Sequence, residues 1–89
     1  MPKMVMTHAV VDVERWLKGK EGRVAAIGSA GGSNVSDYVA ADGTNKVVVT
    51  ADVNDLAAVQ AMLASPPPEV AARMEEHGVI PPITAYIEA

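Results

Sequence analysis

The chain is 89 residues long, carries a formal net charge of −4 and contains no cysteine. The negative net charge argues against a nucleic-acid binder, which would need a basic stripe. A chain without cysteine forms no disulfide, iron–sulfur cluster or thiolate zinc site. No apolar run approaches the ~18 residues of a membrane-spanning helix, and the first residues do not follow the signal-peptide pattern. We therefore expect one cytoplasmic domain over residues 1–89, with neither nucleic acid nor membrane as a partner.

The apolar content consists mainly of small side chains. Hydrophobic residues make up 49% of the chain, but phenylalanine is absent and the aromatic residues are Trp16, Tyr38 and Tyr86. Small side chains bury little area per residue, and hydrophobic stabilisation scales with buried area at about 25 cal/mol per Å². A domain of this size and composition gains stability by burying surface against a partner. This is a first argument for an oligomer.

The N-terminal third predicts a strand followed by an interrupted helix. Residues Met4 to Val11 favour a strand that is apolar on both faces. Asp12 suits a helix N-cap, and apolar residues then recur at helical spacing as far as Ile27. Gly19 and Gly22 weaken the middle of this helix, so we expect it to be broken or loosely wound.

A hairpin is expected in the middle of the chain. The glycine-rich segment 28–33 predicts a flexible linker, because it lacks the Lys-Ser/Thr pair and the following helix of a phosphate-binding loop. Two strands, Val35–Ala41 and Lys46–Val53, flank residues 42–45, whose Asp-Gly pair is a strong turn signal. The second of these strands carries three consecutive valines and is again apolar on both faces.

The C-terminal part predicts two more helices and a last strand. Asn54 or Asp55 caps the first helix, and a run of three prolines ends it and starts another over Glu69–His77. Gly78 then occupies the position of a left-handed C-cap. A proline pair leads into a short strand over Ile83–Glu88.

The predicted order is therefore strand, helix, strand, strand, helix, strand. This βαββαβ order is that of a ferredoxin-like α+β domain, in which helices cover one face of a four-stranded antiparallel sheet. Because the first and third strands are apolar on both faces, the other face of the sheet also needs a cover. A second copy of the chain is the simplest one, so we expect a homodimer that associates through the sheet.

Short segments at both ends of the chain resemble a known family. The segment His8–Trp16, with the pattern H-x-V-x-D-x-x-x-W, resembles the opening of small dimeric α/β-barrel proteins related to the antibiotic-biosynthesis monooxygenases. The segments 63–66 and 78–82 are similar to the end of such proteins. The resemblance implies a dimeric α/β barrel made of two facing sheets, with a ligand pocket between the sheet and the helices of each subunit.

Members of that family include cofactor-independent oxygenases, haem-degrading enzymes and polyketide cyclases. Neither His8 nor His77 lies in a local motif that matches the haem ligand of the haem-degrading branch, so we expect no cofactor. Two separated histidines without cysteine give no metal signature. The acidic group around residues 52–55 lacks the spaced loop of a calcium site.

His8 is the main candidate for chemistry. It lies on an apolar strand, on the same face as Met4, Met6 and Val10. An imidazole titrates near neutral pH and can serve as a general base. A structural hydrogen bond at the junction of strand and helix would account for the same residue, and both interpretations stay open.

Two aromatic residues are candidates for ligand contacts. Trp16 could stack on a planar ligand, although its place on the apolar stripe of a helix suits the core equally. Tyr38 shares the polar face of its strand with Asn34 and Ser36, so its hydroxyl could line a pocket. Tyr86 is more typical of a rim or a dimer interface, and His77 is placed where a cation favours the helix dipole.

Three hypotheses about function follow. The first is a cofactor-independent oxygenase or cyclase acting on a small aromatic or polyketide-like molecule, with His8 as the acid/base and Trp16 and Tyr38 as walls. The second is a non-catalytic module that binds a small apolar or aromatic ligand. The third is a structural or interaction dimer whose pocket is filled by its own side chains. The sequence shows no complete set of catalytic residues, which weighs against the enzyme. It also has few side chains large enough to fill a pocket, which weighs against the structural dimer.

Overall fold

The fold is an antiparallel sheet with helices packed on one face. The structure is a computed structural model and describes residues 2–89. Its elements are β1 (Lys3–Val10), α1 (Val13–Lys18), α2 (Lys20–Ser29), β2 (Gly32–Val39), β3 (Lys46–Val53), α3 (Leu56–Ala64), α4 (Pro68–Glu76) and β4 (Val79–Ile87). The four strands have the order β2-β3-β1-β4, and every neighbouring pair is antiparallel. The predicted α+β arrangement is confirmed, with each helical segment divided into two helices.

The helices begin where the sequence places their caps. The Asp12 carboxylate accepts a hydrogen bond from the backbone N–H of Arg15 at 3.2 Å and starts α1. Of the two caps considered for the second helical segment, Asp55 is the one used, since its carboxylate accepts from the N–H of Ala58 at 3.1 Å. The interruption expected in the first segment falls at Gly19, between α1 and α2.

The connection between α2 and β2 is shorter than the sequence suggests. The prediction of a flexible linker over residues 28–33 is wrong, because α2 continues to Ser29 and β2 starts at Gly32. The Ser29 hydroxyl donates to the carbonyls of Ala25 and Ala26 and holds the last helical turn. The glycines therefore belong to a tight link between a helix and a strand.

The last strand begins earlier than predicted, at Val79 instead of Ile83. It contains two prolines, which an edge strand tolerates because one side of its backbone has no strand neighbour. Its pairing with β1 is irregular there: Thr7 faces Thr84, whereas Ala9 faces Ile80. Residues 81–83 thus bulge opposite His8.

Helices pack on one face of the sheet, and the other face has no helix on it. The helix face holds the core, whose buried members are Met4, Met6, Val10, Trp16, Val47, Val49, Val53 and Val59. The helix-free face carries two rows of side chains in register, Tyr38–Val48–Thr7–Thr84 and Ser36–Thr50–Val5–Tyr86. Within residues 2–89 no helix is long and apolar enough to cross a membrane.

Candidate functional site

A cavity of about 100 Å³ lies between the helix face of the sheet and the helices. Its wall is mainly apolar and is formed by Met6, Val49, Val79 and Ile83 from the sheet and by Ala26, Ile27, Met62, Leu63, Val70 and Met74 from the helices. Gly22, Trp16 and four basic residues complete the lining, and the basic residues are His8, Arg23, Arg73 and His77. The cavity therefore combines an apolar wall with several cationic or titratable groups.

His8 is held in one tautomer by its own strand. Its Nδ1 lies 3.1 Å from the carbonyl oxygen of Ala9. A carbonyl oxygen can only accept a hydrogen bond, so Nδ1 donates and Nε2 keeps its lone pair. Burial lowers the pKa of His8 below its ordinary value of 6.5; the bond to Ala9 opposes this and the charge of Arg23 adds to it. The ring is therefore a neutral proton acceptor at neutral pH.

Trp16 belongs both to the core and to the cavity wall. It is fully buried, and its ring meets the His8 ring edge to face, with centroids 5.8 Å apart and planes at 77°. Among the described residues its Nε1 finds no hydrogen-bond partner. The two interpretations of Trp16 offered by the sequence are thus compatible.

An ion pair that is largely shielded from solvent, and that the sequence did not predict, supports Trp16. The Arg23 guanidinium lies 3.9 Å from the centre of the indole ring. Its Nη1 donates to the Trp16 carbonyl at 2.7 Å, and its Nη2 contacts an Asp37 carboxylate oxygen at 2.9 Å. The sequence did hold a signal for Asp37. This residue lies two positions from Val35 and from Val39, so all three share one face of β2, and Asp37 is an acid on the face that packs on the core.

His77 also reaches the cavity, although the sequence suggested only a role at the end of a helix. It does cap α4, but its ring packs so closely on Gly19 that a Cβ there would lie 2.5 Å from it. Burial lowers the pKa of His77; the charges of Arg23, Arg73 and Arg15 add to this, and that of Glu76 opposes it. The ring is therefore disfavoured as the cation expected at this helix end.

Tyr38 lies away from the cavity. It is 54% exposed on the helix-free face, and Tyr86 is 58% exposed on the same face. A groove of about 420 Å³ crosses this face beside the bulge, lined by Thr7, His8, Ala9, Val39, Ala40, Lys46, Val47, Val48, Pro82 and Thr84. His8 thus borders both the cavity and the groove. In the part of the chain that the structure describes, no three potential metal ligands cluster.

Comparison with known proteins finds similarity in structure but not in sequence. No protein-family model and no curated protein sequence matches the chain. An antibiotic biosynthesis monooxygenase superposes with a TM-score of 0.65 at 12% identity, covering 100% of this chain and 97% of the other. A mutant of SnoaB, a cofactor-independent oxygenase from Streptomyces nogalater, gives 0.62 at 16% identity, covering 99% and 90%. A dimeric ferredoxin-like protein from an uncultured marine organism gives 0.61 at 5% identity, covering 100% and 93%.

At these identities the likeness concerns the fold, and it extends over nearly the whole of each chain. The strand order and the helices on one face of the sheet account for it. The resemblance drawn from the segment His8–Trp16 is confirmed at that level: the chain has the ferredoxin-like α+β fold of the antibiotic biosynthesis monooxygenases.

Proposed function

We propose that the cavity binds a small, planar, largely apolar molecule built on one aromatic ring. The apolar wall and the Trp16 ring suit such a ligand. An engineered apolar cavity of about 150 Å³ binds benzene, so a cavity of about 100 Å³ matches a single ring better than a fused polyketide. Among the substrate classes that the sequence left open, size therefore favours the small aromatic one.

We further propose that His8 acts as a general base on this ligand, as in a cofactor-independent oxygenase. The Nε2 lone pair would accept a proton from an acidic O–H or C–H of the ligand. The resulting anion would give one electron to dioxygen, and the substrate radical and superoxide would then combine into a peroxide. Loss of water from this peroxide would leave a quinone, so the ligand itself supplies all the electrons and no metal or flavin is needed. Arg73, which also lines the cavity, would stabilise the negative charge as it develops. SnoaB, which is described as a cofactor-independent oxygenase and has the same fold, supports this proposal.

The observation that carries this proposal is the bond from His8 Nδ1 to the Ala9 carbonyl. This bond fixes the proton on Nδ1, which donates to the strand, and leaves Nε2 as a proton acceptor. The ring that carries Nε2 lines the cavity. A non-catalytic binding module is the second candidate function, and the apolar character of the wall favours it. In that case the cavity would hold the same class of ligand without turnover.

A histidine replacement separates these functions. We expect His8→Ala to abolish oxygen consumption with a panel of single-ring phenols while changing the free energy of unfolding by less than ~1 kcal/mol, since the lost bond is local. An oxygen electrode and urea unfolding measure the two effects. Thr7→Ala, the neighbouring residue on the opposite face, is the matched control and should keep wild-type turnover.

Other outcomes of this experiment assign other functions. Turnover that survives His8→Ala would contradict the role of base. Ligand binding by calorimetry without oxygen consumption in the wild-type protein would identify a binding module. A loss of ~1–3 kcal/mol in His8→Ala, the cost of an unsatisfied buried partner, with no ligand found, would leave a structural dimer.

We also propose that a second copy of the chain covers the helix-free face of the sheet. Its central positions are occupied by Val5 and Val48 and flanked by the exposed rings of Tyr38 and Tyr86. Exposed aliphatic and aromatic side chains grouped on one face mark association sites, and twofold pairing of identical faces is the commonest way to cover them. The dimeric ferredoxin-like protein of the same fold supports this mode of assembly.

A further inference from the structure

The ion pair of Arg23 and Asp37 is a poor device for stability. The two side chains are only 12% and 4% exposed, so both charges have lost most of their hydration. Within residues 2–89, Arg23 Nε, Asp37 Oδ1 and Trp16 Nε1 are buried without a hydrogen-bond partner. Replacing such a pair by apolar side chains is often neutral or stabilising. A role other than stability would explain why this position holds charges.

The contacts of the pair lead to His8 in three steps. Asp37 holds Arg23 at 2.9 Å. Arg23 lies over the face of Trp16 and donates to its carbonyl, so that ring and backbone are fixed together. Trp16 in turn presses edge to face on His8. Each member thus restricts the orientation of the next.

We infer that Asp37 and Arg23 are positioning residues, which hold Trp16 against His8 and keep a positive charge beside the imidazole. The inference deepens the proposed role of His8 as a base and rests on it for its meaning. The inference predicts how the pKa and the orientation of the His8 ring respond to changes in the ion pair, and both can be measured without any ligand.

Several charged or titratable groups face the surroundings of His8 from different elements, and Arg23 is the one whose charge lowers the pKa of His8. Arg23 approaches from α2, and Arg73 of α4 lines the same cavity together with His77, the C-cap of α4. Lys46 of β3 borders the groove on the other face of the sheet. Asp37 offsets the charge of Arg23, to which it is paired. Removing the cation and removing its counterion should therefore change the field at His8 in opposite directions.

The test is a pair of opposite shifts. The chain has two histidines, so their ring-proton resonances in an NMR titration can be assigned with His77→Gln. We expect Arg23→Gln to raise the pKa of His8 and Asp37→Asn to lower it, because the second variant leaves the Arg23 charge unopposed. Lys20→Gln removes an exposed cation from the same helix and should leave the pKa of His8 unchanged.

A merely structural role gives a different pattern. If the pair only held the fold together, both variants would hydrate His8 and raise its pKa. Shifts in the same direction, or no shift in Arg23→Gln, would overturn the inference. Retained turnover in His8→Ala would instead overturn the role of base and leave these shifts intact, so the two failures are distinguishable.

A second set of variants covers the case in which Asp37→Asn does not fold. Arg23→Lys keeps the charge but loses the flat guanidinium, so the pKa of His8 should stay near that of the wild type. The ring-current shift that Trp16 imposes on the His8 protons should decrease in the same variant. The double variant Arg23→Gln/Asp37→Asn should raise the pKa of His8 by less than Arg23→Gln does, because the loss of the Asp37 charge partly offsets the loss of the cation. A raised pKa in Arg23→Lys, or an unchanged one in the double variant, would overturn the inference.

Discussion

His8 and His77 are the side chains of this protein whose charge changes near neutral pH. Both line the cavity, and burial is the largest cause that lowers each pKa. The cationic form of each ring is therefore disfavoured twice, by lost hydration and by the neighbouring guanidinium of Arg23. This coupling of a titratable group to a buried cation makes the cavity sensitive to pH.

We expect the protein to lose stability as the pH falls through 6.5. The unfolded chain takes up both imidazole protons near that value, whereas the folded chain takes them up only at its lowered pKa values. Between the lowered pKa values and 6.5 the unfolded state binds more protons than the folded state, so the free energy of unfolding decreases as the pH falls. The stabilisation that the two neutral histidines contribute is complete above pH 6.5. Urea unfolding between about pH 8 and pH 5 measures this.

His8→Gln and His77→Gln should each flatten that pH dependence. The carboxyls with lowered pKa values do not confuse the measurement: Asp42, bonded by Thr44, and Asp52, bonded by Asn34, titrate below their ordinary value of 3.8. A stability that rises on acidification between pH 7 and pH 5 would show that the buried rings become charged more easily on folding.

At this scale the sequence indicated part of the site. The alternation of β1 placed His8 on the core face, and the helical spacing placed Trp16 beside it. The ion pair could not be derived, because Arg23 and Asp37 belong to different elements and meet only once the packing of α2 on β2 is known. Asp37 between two valines was the available signal, since an acid on a core face requires a partner.

At the scale of elements, the passage from α4 to β4 is held by one glycine. Gly78 is buried, has a φ of +74° and follows the His77 cap. Its carbonyl accepts a hydrogen bond from Val11 at 2.8 Å, which ties this turn to the end of β1. The left-handed conformation predicted for this position is confirmed, and a side chain would be strained there.

We expect Gly78→Val to lower the free energy of unfolding by at least ~1 kcal/mol, the strain of such a backbone position. A Cβ would also lie 3.3 Å from that of Val11. Gly28→Ala is the matched control: a Cβ at this helical glycine would meet nothing within 4 Å among the described residues, and alanine favours a helix by up to about 1 kcal/mol. Opposite signs in thermal unfolding are the expected result, and an unchanged melting temperature in Gly78→Val would contradict it.

The ends of elements that depend on residues close in sequence could be predicted, whereas the ends that depend on packing or pairing with another element could not. The N-caps Asp12 and Asp55 act within three residues, so the sequence identifies them. The early start of β4 depends on its pairing with β1, across a bulge that admits two prolines. The glycines within residues 28–33 suggested a linker because glycine has a low intrinsic preference for a helix or a strand. In the structure the end of α2 and the start of β2 determine the backbone conformation of this segment.

At the scale of the whole molecule, the sheet has one covered and one uncovered face. The covered face bounds the cavity, and the uncovered face carries the groove that His8 also borders. The apolar character of the helix face was readable from β1 and β3, whose side chains alternate between the two faces, whereas the helix-free face mixes Val5 and Val48 with Thr7 and Thr50. Which residues form rows across the uncovered face required the register.

We expect sedimentation at micromolar concentration to give twice the chain mass. Val48→Glu places a charge at the centre of the helix-free face, between Thr7 and Tyr38, and should yield monomers because burying an unpaired carboxylate at an interface is costly. Val24→Glu introduces the same change at a 40% exposed position on α2 and should leave the dimer intact. A well-folded wild-type monomer would contradict the proposed assembly.

The chain has one tryptophan, and it is fully buried between a guanidinium and an imidazole. All tryptophan fluorescence of the protein therefore originates at the wall of the cavity, with no contribution from its surface. Protonation of the His8 ring, withdrawal of Arg23 and arrival of an aromatic ligand each change the electronic surroundings of that indole. The protein thus carries an intrinsic optical probe of its own site, readable without any label.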